Sequence, residues 1–229
     1  MATNLSDNWS AETNLTLERS RIDDNQGRRR FSILTLDNRL TYEGRDVPLD
    51  ATSGYFLEAH VMPFVVDQST TTAVQATLEG RAYRAIDPEA KYVLAGRAKI
   101  GTVEGISRTA APPQTLFFSG GGGSVRGFRY LSNSVTSGGV TTGGRSLLEL
   151  SGELRVDFDE SLGGVAFVDA GNVGAGRFPD INNNWQVGGG VGIRFNTGLG
   201  PLRIDLARSL QWKQGDPNFA LYIGLGQAF

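Results

Sequence analysis

The side chains that could do chemistry in this sequence are few and scattered. His60 is the single histidine, and the 229 residues contain no cysteine. No Gly-x-Ser-x-Gly elbow is present to raise a nucleophilic serine. Gly120–Gly123 make a glycine run, but no Lys-Ser/Thr pair follows it, as a phosphate cradle needs. No His, Cys, Asp and Glu cluster has metal-ligand spacing. Acyl transfer, thiolate chemistry, metal catalysis and phosphate binding are all disfavoured, and neither cofactor nor metal is expected. What remains is a set of charged residues, among them Arg126, Asp169, Arg194, Arg203 and Asp205. Their role depends on the elements that hold them.

Those elements read as strands. In Leu147–Phe158 the even positions Leu148, Leu150, Gly152, Leu154, Val156 and Phe158 are apolar or small, while Glu149, Ser151, Glu153, Arg155 and Asp157 alternate with them. The period is two, which is that of a strand. In Trp185–Phe195, Val187, Val191, Ile193 and Phe195 oppose Gln186, three glycines and Arg194. Phe219–Phe229, Tyr92–Gly101 and Thr71–Tyr83 follow the same rule. One face is greasy in strand after strand, and the other carries charge and glycine. Many strands run about 11 residues, which at a tilt of about 45° crosses a bilayer, whereas soluble sandwiches use about 5–6. The expected fold is all-β, an antiparallel transmembrane β-barrel.

Ten strands are expected, at 8–19, 29–42, 54–65, 70–84, 91–103, 145–158, 162–172, 185–196, 200–210 and 218–229. Short turns at 159–161 and 196–199 alternate with longer connections at 104–144, 173–184 and 211–217. Outer-membrane barrels place short turns in the periplasm and long loops outside. The long 43–53 turn and the short Asp67–Ser69 turn do not fit that rule. Residues 1–229 read as one barrel domain. No run of 18 apolar residues exists to make a membrane helix. The start, Met1-Ala2-Thr3-Asn4, has neither the basic end nor the apolar stretch of a signal peptide. A net charge of −2 gives no field for nucleic acid.

Within the longest loop stands Phe117-Phe118-Ser119-Gly120-Gly121-Gly122-Gly123-Ser124-Val125-Arg126-Gly127-Phe128-Arg129-Tyr130. A flexible Gly-Ser linker is the bland alternative, but Val-Arg-Gly-Phe is not linker-like. Downstream come Phe167-Val168-Asp169-Ala170-Gly171, then Gly188–Arg194, Thr197 and Gly200-Pro201-Leu202-Arg203-Ile204-Asp205. Upstream lies Asp37 and then Leu49-Asp50-Ala51-Thr52-Ser53-Gly54. Together these resemble the barrel domain of the BamA/TamA outer-membrane assembly-factor superfamily, which includes the bacterial surface antigens. The ending Leu221-Tyr222-Ile223-Gly224-Leu225-Gly226 is most like TamA. The resemblance covers residues 30–229 and matches the last ten strands of a barrel of about 16. It lacks the periplasmic POTRA domains.

The resemblance implies a protein that inserts or exports outer-membrane or autotransporter proteins, in a Gram-negative-type outer membrane and without catalysis. Its partners would be client β-barrels, a periplasm-spanning subunit, lipopolysaccharide outside and phospholipid inside. Another copy could pair along a strand edge. It implies that the signature loop, with Gly120, Gly121, Ser124, Val125, Arg126, Gly127 and Phe128, folds into the lumen. There Arg126 would meet Asp169, flanked by Phe167 and Gly171. Asp169 cannot face lipid cheaply, which agrees. Arg194, Arg203 and Asp205 would line the lumen. Tyr222, Gly224 and Phe229 would carry a C-terminal insertion signal, Phe229 also suiting an interfacial girdle and Gln227 departing from the signal. Ten strands are too few to close around so long a loop, so a closed ten-stranded monomer enclosing it is not expected. Two other functions stay open: a passive pore or structural barrel, lined by Glu149, Glu153, Arg155, Arg97 and Lys99, or an inactive fragment.

Overall fold

A computed structural model describes residues 1–24, 26–67, 70–182, 184–211 and 217–229. The chain forms β1 (Ala2–Asn4), β2 (Trp9–Asp24), β3 (Gly27–Glu43), β4 (Gly54–Val66), β5 (Thr71–Ala85) and β6 (Tyr92–Glu104). After the long loop come β9 (Ser146–Asp157), β10 (Leu162–Gly174), β11 (Trp185–Phe195), β12 (Leu202–Ser209) and β13 (Ala220–Leu225). Inside the loop, β7 (Val135–Ser137) and β8 (Val140–Thr142) make a small hairpin. The other strands form one antiparallel sheet, ordered β1-β2-β3-β4-β5-β6-β9-β10-β11-β12-β13. Among the described residues, nothing pairs β13 with β1 or β2, so the sheet is open.

The ten long strands lie where alternation put them, with three differences. β2 continues past Arg19 to Asp24, because its polar end pairs with the start of β3, from Ser20↔Phe31 to Asp23↔Arg28. The last strand stops at Leu225, because Gly226 takes φ +78° and turns the chain inward. The N-terminal residues fold back as β1 and cover Ser10–Glu12 of the β2 edge. Gln68 and Ser69 of the expected 67–69 turn, and residues 212–216 of the expected 211–217 loop, lie outside the described residues.

The two faces of the sheet differ as the alternation requires. Leu15, Leu17, Leu34, Leu36, Leu57, Leu78, Leu94, Ile100, Leu150, Leu154, Val168, Val191, Ile193 and Leu206 point outward and are exposed. In water so much apolar surface would drive association; against lipid it is the stable arrangement. Outward aromatics cluster where the strands reach the short-turn end. Trp9 meets Tyr42 edge-on and Tyr42 stacks on Tyr55, each with centroids 5.1 Å apart. Tyr92 and Phe195 are exposed on other strands at that end, and Phe158 just past β9. Such amphipathic rings suit a membrane interface.

The inward face holds three apolar clusters. Near the long-loop end, Phe31, Ile33, Phe64, Val66, Val103 and Leu147 of the sheet bury Ile106, Leu116 and Phe117 of the loop. In the middle sit Val165, Phe167 and Ala207. At the short-turn end Ala51, Tyr83, Ala95 and Phe229 pack together. The loop therefore stays on the inward face because its own apolar residues complete the upper cluster.

Leu150 lies outward near the middle of β9. Leu150→Arg is expected to cost about 2–4 kcal/mol, the penalty of a cation on the lipid face near the bilayer midplane. Urea titration of the chain folded into phosphatidylcholine vesicles should show the lower midpoint.

Candidate functional site

The loop tip is shaped by glycines. Gly120 and Gly121 have φ of +106° and +100°, the left-handed region that L side chains avoid. The turn closes with Gly121 N–H donating to the Val125 carbonyl (3.0 Å) and Ser124 N–H to the Gly121 carbonyl (3.1 Å). Ser124 Oγ also bonds Glu149 Oε1 of β9. Gly127 has φ +94°, and a Cβ there would strike the Arg208 backbone of β12. Val125, fully buried, sits where a Cβ on Gly171 would be. A side chain at Gly127 or Gly171 would push the loop off the sheet, and one at Gly120 or Gly121 would distort the tip itself.

Arg126 is thereby driven into the interior, where it is 2% exposed. Asp169 of β10 receives it bidentately, Nε to Oδ2 at 2.7 Å and Nη2 to Oδ1 at 3.0 Å. The Arg126 backbone N–H also donates to Asp169 Oδ2 at 3.1 Å. Nη1 lies 2.8 Å from Glu153 Oε1 of β9 and 3.1 Å from Asp205 Oδ2 of β12. Arg126 Cζ rests 3.5 Å from the Phe167 ring centroid. One cation thus meets three carboxylates from three strands, over an aromatic face.

The surrounding charges balance it. Arg155 takes the other Glu153 oxygen at 3.0 Å, and Arg194 donates to Asp205 Oδ1 at 2.5 Å. Three arginines and three carboxylates form one connected network, neutral in sum. Glycine makes room for it. A Cβ on Gly188 would overlap the Arg126 carbonyl, one on Gly190 the Phe167 ring, and one on Gly192 Asp205. The inward face of β11 is thus a trough into which the loop backbone and its ion pairs sink.

The structure brings Arg126, Asp169, Phe167, Asp205 and Arg194 together. Gly171 is beside Val125 rather than the ion pairs. Phe128 is buried beside the tip. Arg203 points inward alongside Gly224 but makes no ion pair among the described residues. Tyr222 and Phe229 both turn to the inward face of the sheet. The Tyr222 hydroxyl accepts from Gly127 N–H (3.0 Å) and donates to the Phe128 carbonyl (3.3 Å), so it clamps the loop. Phe229 is not at an interface: its ring lies 6.5 Å from that of Tyr83 and 5.7 Å from Arg155 Cζ, inside the sheet. The cause is the Gly226 turn, after which Gln227 bonds Arg194 Nε (2.7 Å) and Asp50 Oδ1 (2.9 Å). Sequence reading had set Glu153 among generic lumen charges and missed the trough. Gly188, Gly190 and Gly192 sharing Arg194's parity was the available signal.

His60 does not stand alone either; its Nε2 is 2.7 Å from Asp37 Oδ2 on the inward face. A second ionic cluster joins Glu79 to Arg81, Arg97 and Lys99, and Arg97 to Glu149.

Arg126→Ala would leave the buried Asp169 without its cation and strip Glu153 and Asp205 of one of their two arginines. A loss of about 3–5 kcal/mol of stability is expected. Arg126→Lys should recover only part of it, because an ammonium cannot bond Asp169 bidentately. Urea midpoints in vesicles, with protease sensitivity of residues 104–145, check both expectations. Gly188→Ala should expose the loop to protease while leaving every ion-pairing group in place.

The Omp85 superfamily domain matches residues 1–229. Among solved structures, the chain is similar to the crystal structure of BamA from Haemophilus ducreyi lacking POTRA domains 1-3. The two share 17% identity with a TM-score of 0.76, over 96% of this chain and 52% of that one. At that identity the likeness speaks for the fold, and the chain spans about half the length of that BamA. With the whole of its described sheet and its inward loop inside the match, the chain belongs to the Omp85 superfamily.

Proposed function

We propose that this chain is the barrel portion of an outer-membrane factor that assembles or translocates other outer-membrane proteins. The observation that carries the reading is the Arg126 lock: a long loop held inside the sheet by carboxylates of β9, β10 and β12, and by Tyr222 of β13. Superfamily membership and the outward apolar face support a place in a Gram-negative-type outer membrane.

The mechanism needs no bond chemistry in the client. β13 pairs with β12 along Leu202↔Leu225 to Ala207↔Ala220, and its other edge carries no partner among the described residues. In lipid an unmet N–H or C=O is costly, so an edge of this kind templates an incoming strand by β-augmentation. The loop holds the template in position: Tyr222 ties β13 to the tip, and Arg126 ties the tip to β12. Client β-barrels and a periplasm-spanning subunit are the partners this reading calls for, and the TamA-like final strand favours an export role.

The test is refolding of a urea-denatured client barrel in vesicles that contain the parent chain, no chain, or the Asp169→Asn variant. The parent should accelerate client folding, read as the heat-modifiable band, and Asp169→Asn should lose most of the acceleration. Ion conductance in planar bilayers with no effect on the client would instead make the chain a passive pore.

A further inference from the structure

Arg203 stands on the inward face beside the loop lock but takes no part in it. Register sets it directly against Arg194 of β11 on one side and Gly224 of β13 on the other. Arg194 is already engaged, with Nε donating to Gln227 and Nη1 to Asp205. Both oxygens of Asp205 are taken as well, Oδ1 by Arg194 and Oδ2 by Arg126. Among the described residues, Arg203 has no carboxylate at ion-pair distance. Its Nε and Nη1 are buried without an acceptor, and so is Arg194 Nη2. Gly224 leaves the space over β13 clear: a Cβ there would lie 2.9 Å from Arg203 Nε and 3.3 Å from Nη2. The guanidinium therefore rests across β13, the strand whose far edge has no partner among the described residues.

Arginines directly opposed across a strand pair repel each other, and buried N–H donors without an acceptor cost stability. A carboxylate would answer both, because it accepts two parallel N–H bonds from one guanidinium. β11 and β12 fill the sheet on one side of Gly224, so the open approach is from beyond β13. A strand added antiparallel there sets one residue opposite Gly224, with Cα atoms about 4.5–5.5 Å apart and its side chain on the same inward face. Asp or Glu at that position reaches Arg203 over the glycine. The neighbouring inward position of β13 is closed to this use, because Tyr222 is tied to the loop tip. Outward, Leu221, Ile223 and Leu225 are exposed and call for apolar residues on the same strand. Arg203 is the second residue of β12, at the short-turn end, which outer-membrane barrels place in the periplasm.

We propose that Arg203 is a specificity-determining residue of the β13 edge. It selects an incoming strand that carries Asp or Glu at the inward position opposite Gly224, between outward apolar residues. The inference rests on strand addition at β13 as read above, and it adds a charge rule that backbone pairing alone does not contain.

The probe is a fluorescent peptide of about ten residues, the length of a membrane strand, with alternating Leu and Thr. One central Thr is replaced by Glu, Gln or Lys. Each peptide is titrated against the full chain in phosphatidylcholine vesicles, and anisotropy is read above that of vesicles without the chain. The parent should bind the Glu peptide about tenfold more tightly than the Gln peptide, the worth of one charge-assisted hydrogen bond, and the Lys peptide least. Arg203→Gln should erase the preference, and Arg203→Lys should keep part of it, since an ammonium is not bidentate. Arg203→Glu should turn the preference toward the Lys peptide, a reversal that misfolding cannot produce. Arg84→Gln, an exposed outward arginine on β5, should keep the parent's preference. The proposal is overturned if the parent binds the Glu and Gln peptides alike, if Arg203→Gln still prefers Glu, or if Arg84→Gln loses the preference. Peptides that bind whatever their charge sink the role of Arg203 and leave strand addition standing; a chain that binds none of them sinks both.

Discussion

A guanidinium shared among three carboxylates inside a membrane sheet is the interaction on which the rest of this molecule turns. Arg126 contributes one positive charge to a site where Asp169, Glu153 and Asp205 converge. None of the three acids can rotate to lipid without a large penalty, and none tolerates the others without a cation between them. Arg155 and Arg194 complete the charge balance from opposite sides. Buried ion networks seldom add stability over apolar packing, but removal of one member leaves the others uncompensated. Such a network is therefore better understood as a specification. It accepts one loop conformation, in one register, and penalises every other.

The glycines follow from that demand. A loop that must deliver a charged tip to the middle of a sheet needs close backbone approach, and β11 provides it at Gly188, Gly190 and Gly192. The cost is three strand positions with no inward side chain to pack, which an isolated strand would feel as weakness. Here the loop backbone, the Phe167 ring and the Asp205–Arg194 pair fill the trough instead. The sheet and the loop are mutually dependent: without the loop the trough is a void, and without the trough the loop has no seat. An open sheet accommodates this readily. A closed ring of about ten strands has an interior little wider than its own side chains, so it would exclude the 104–145 segment.

Much of this could be read from residue order, for a definite reason. Lipid enforces the two-residue period so strongly that Leu150, Leu154 and Val168 could be set outward, and Asp169 inward, from parity alone. Where the solvent changes, parity loses its meaning. Beyond Arg19 the outer end of β2 carries Ile22 alone among polar residues, too little alternation to follow, although the hairpin continues to Asp24. The chain terminus was misplaced for a similar reason. Phe229 keeps the alternation of an outward residue, but Gly226 breaks the strand before it, and only the Gln227 contacts reveal why. Glu153 was legible as inward but not as a ligand of Arg126, because cross-strand convergence depends on register, and register is not written in any one strand.

β13 shows how these contacts combine. It is six residues long, the shortest of the ten main strands, and among the described residues pairs on one side only. Backbone pairing of that length is a weak hold on an edge strand. Three side chains supplement it, at different heights. Tyr222 grips the loop tip, Gln227 bridges Arg194 to Asp50 of the 44–53 turn, and Phe229 packs on Tyr83 with its carbonyl 3.2 Å from Arg155. Arg194 and Arg155 both belong to the network centred on Arg126. The position of the terminal strand is therefore set by the charged interior rather than by its own ladder, and the loop, the inner turn and the free edge share one anchor.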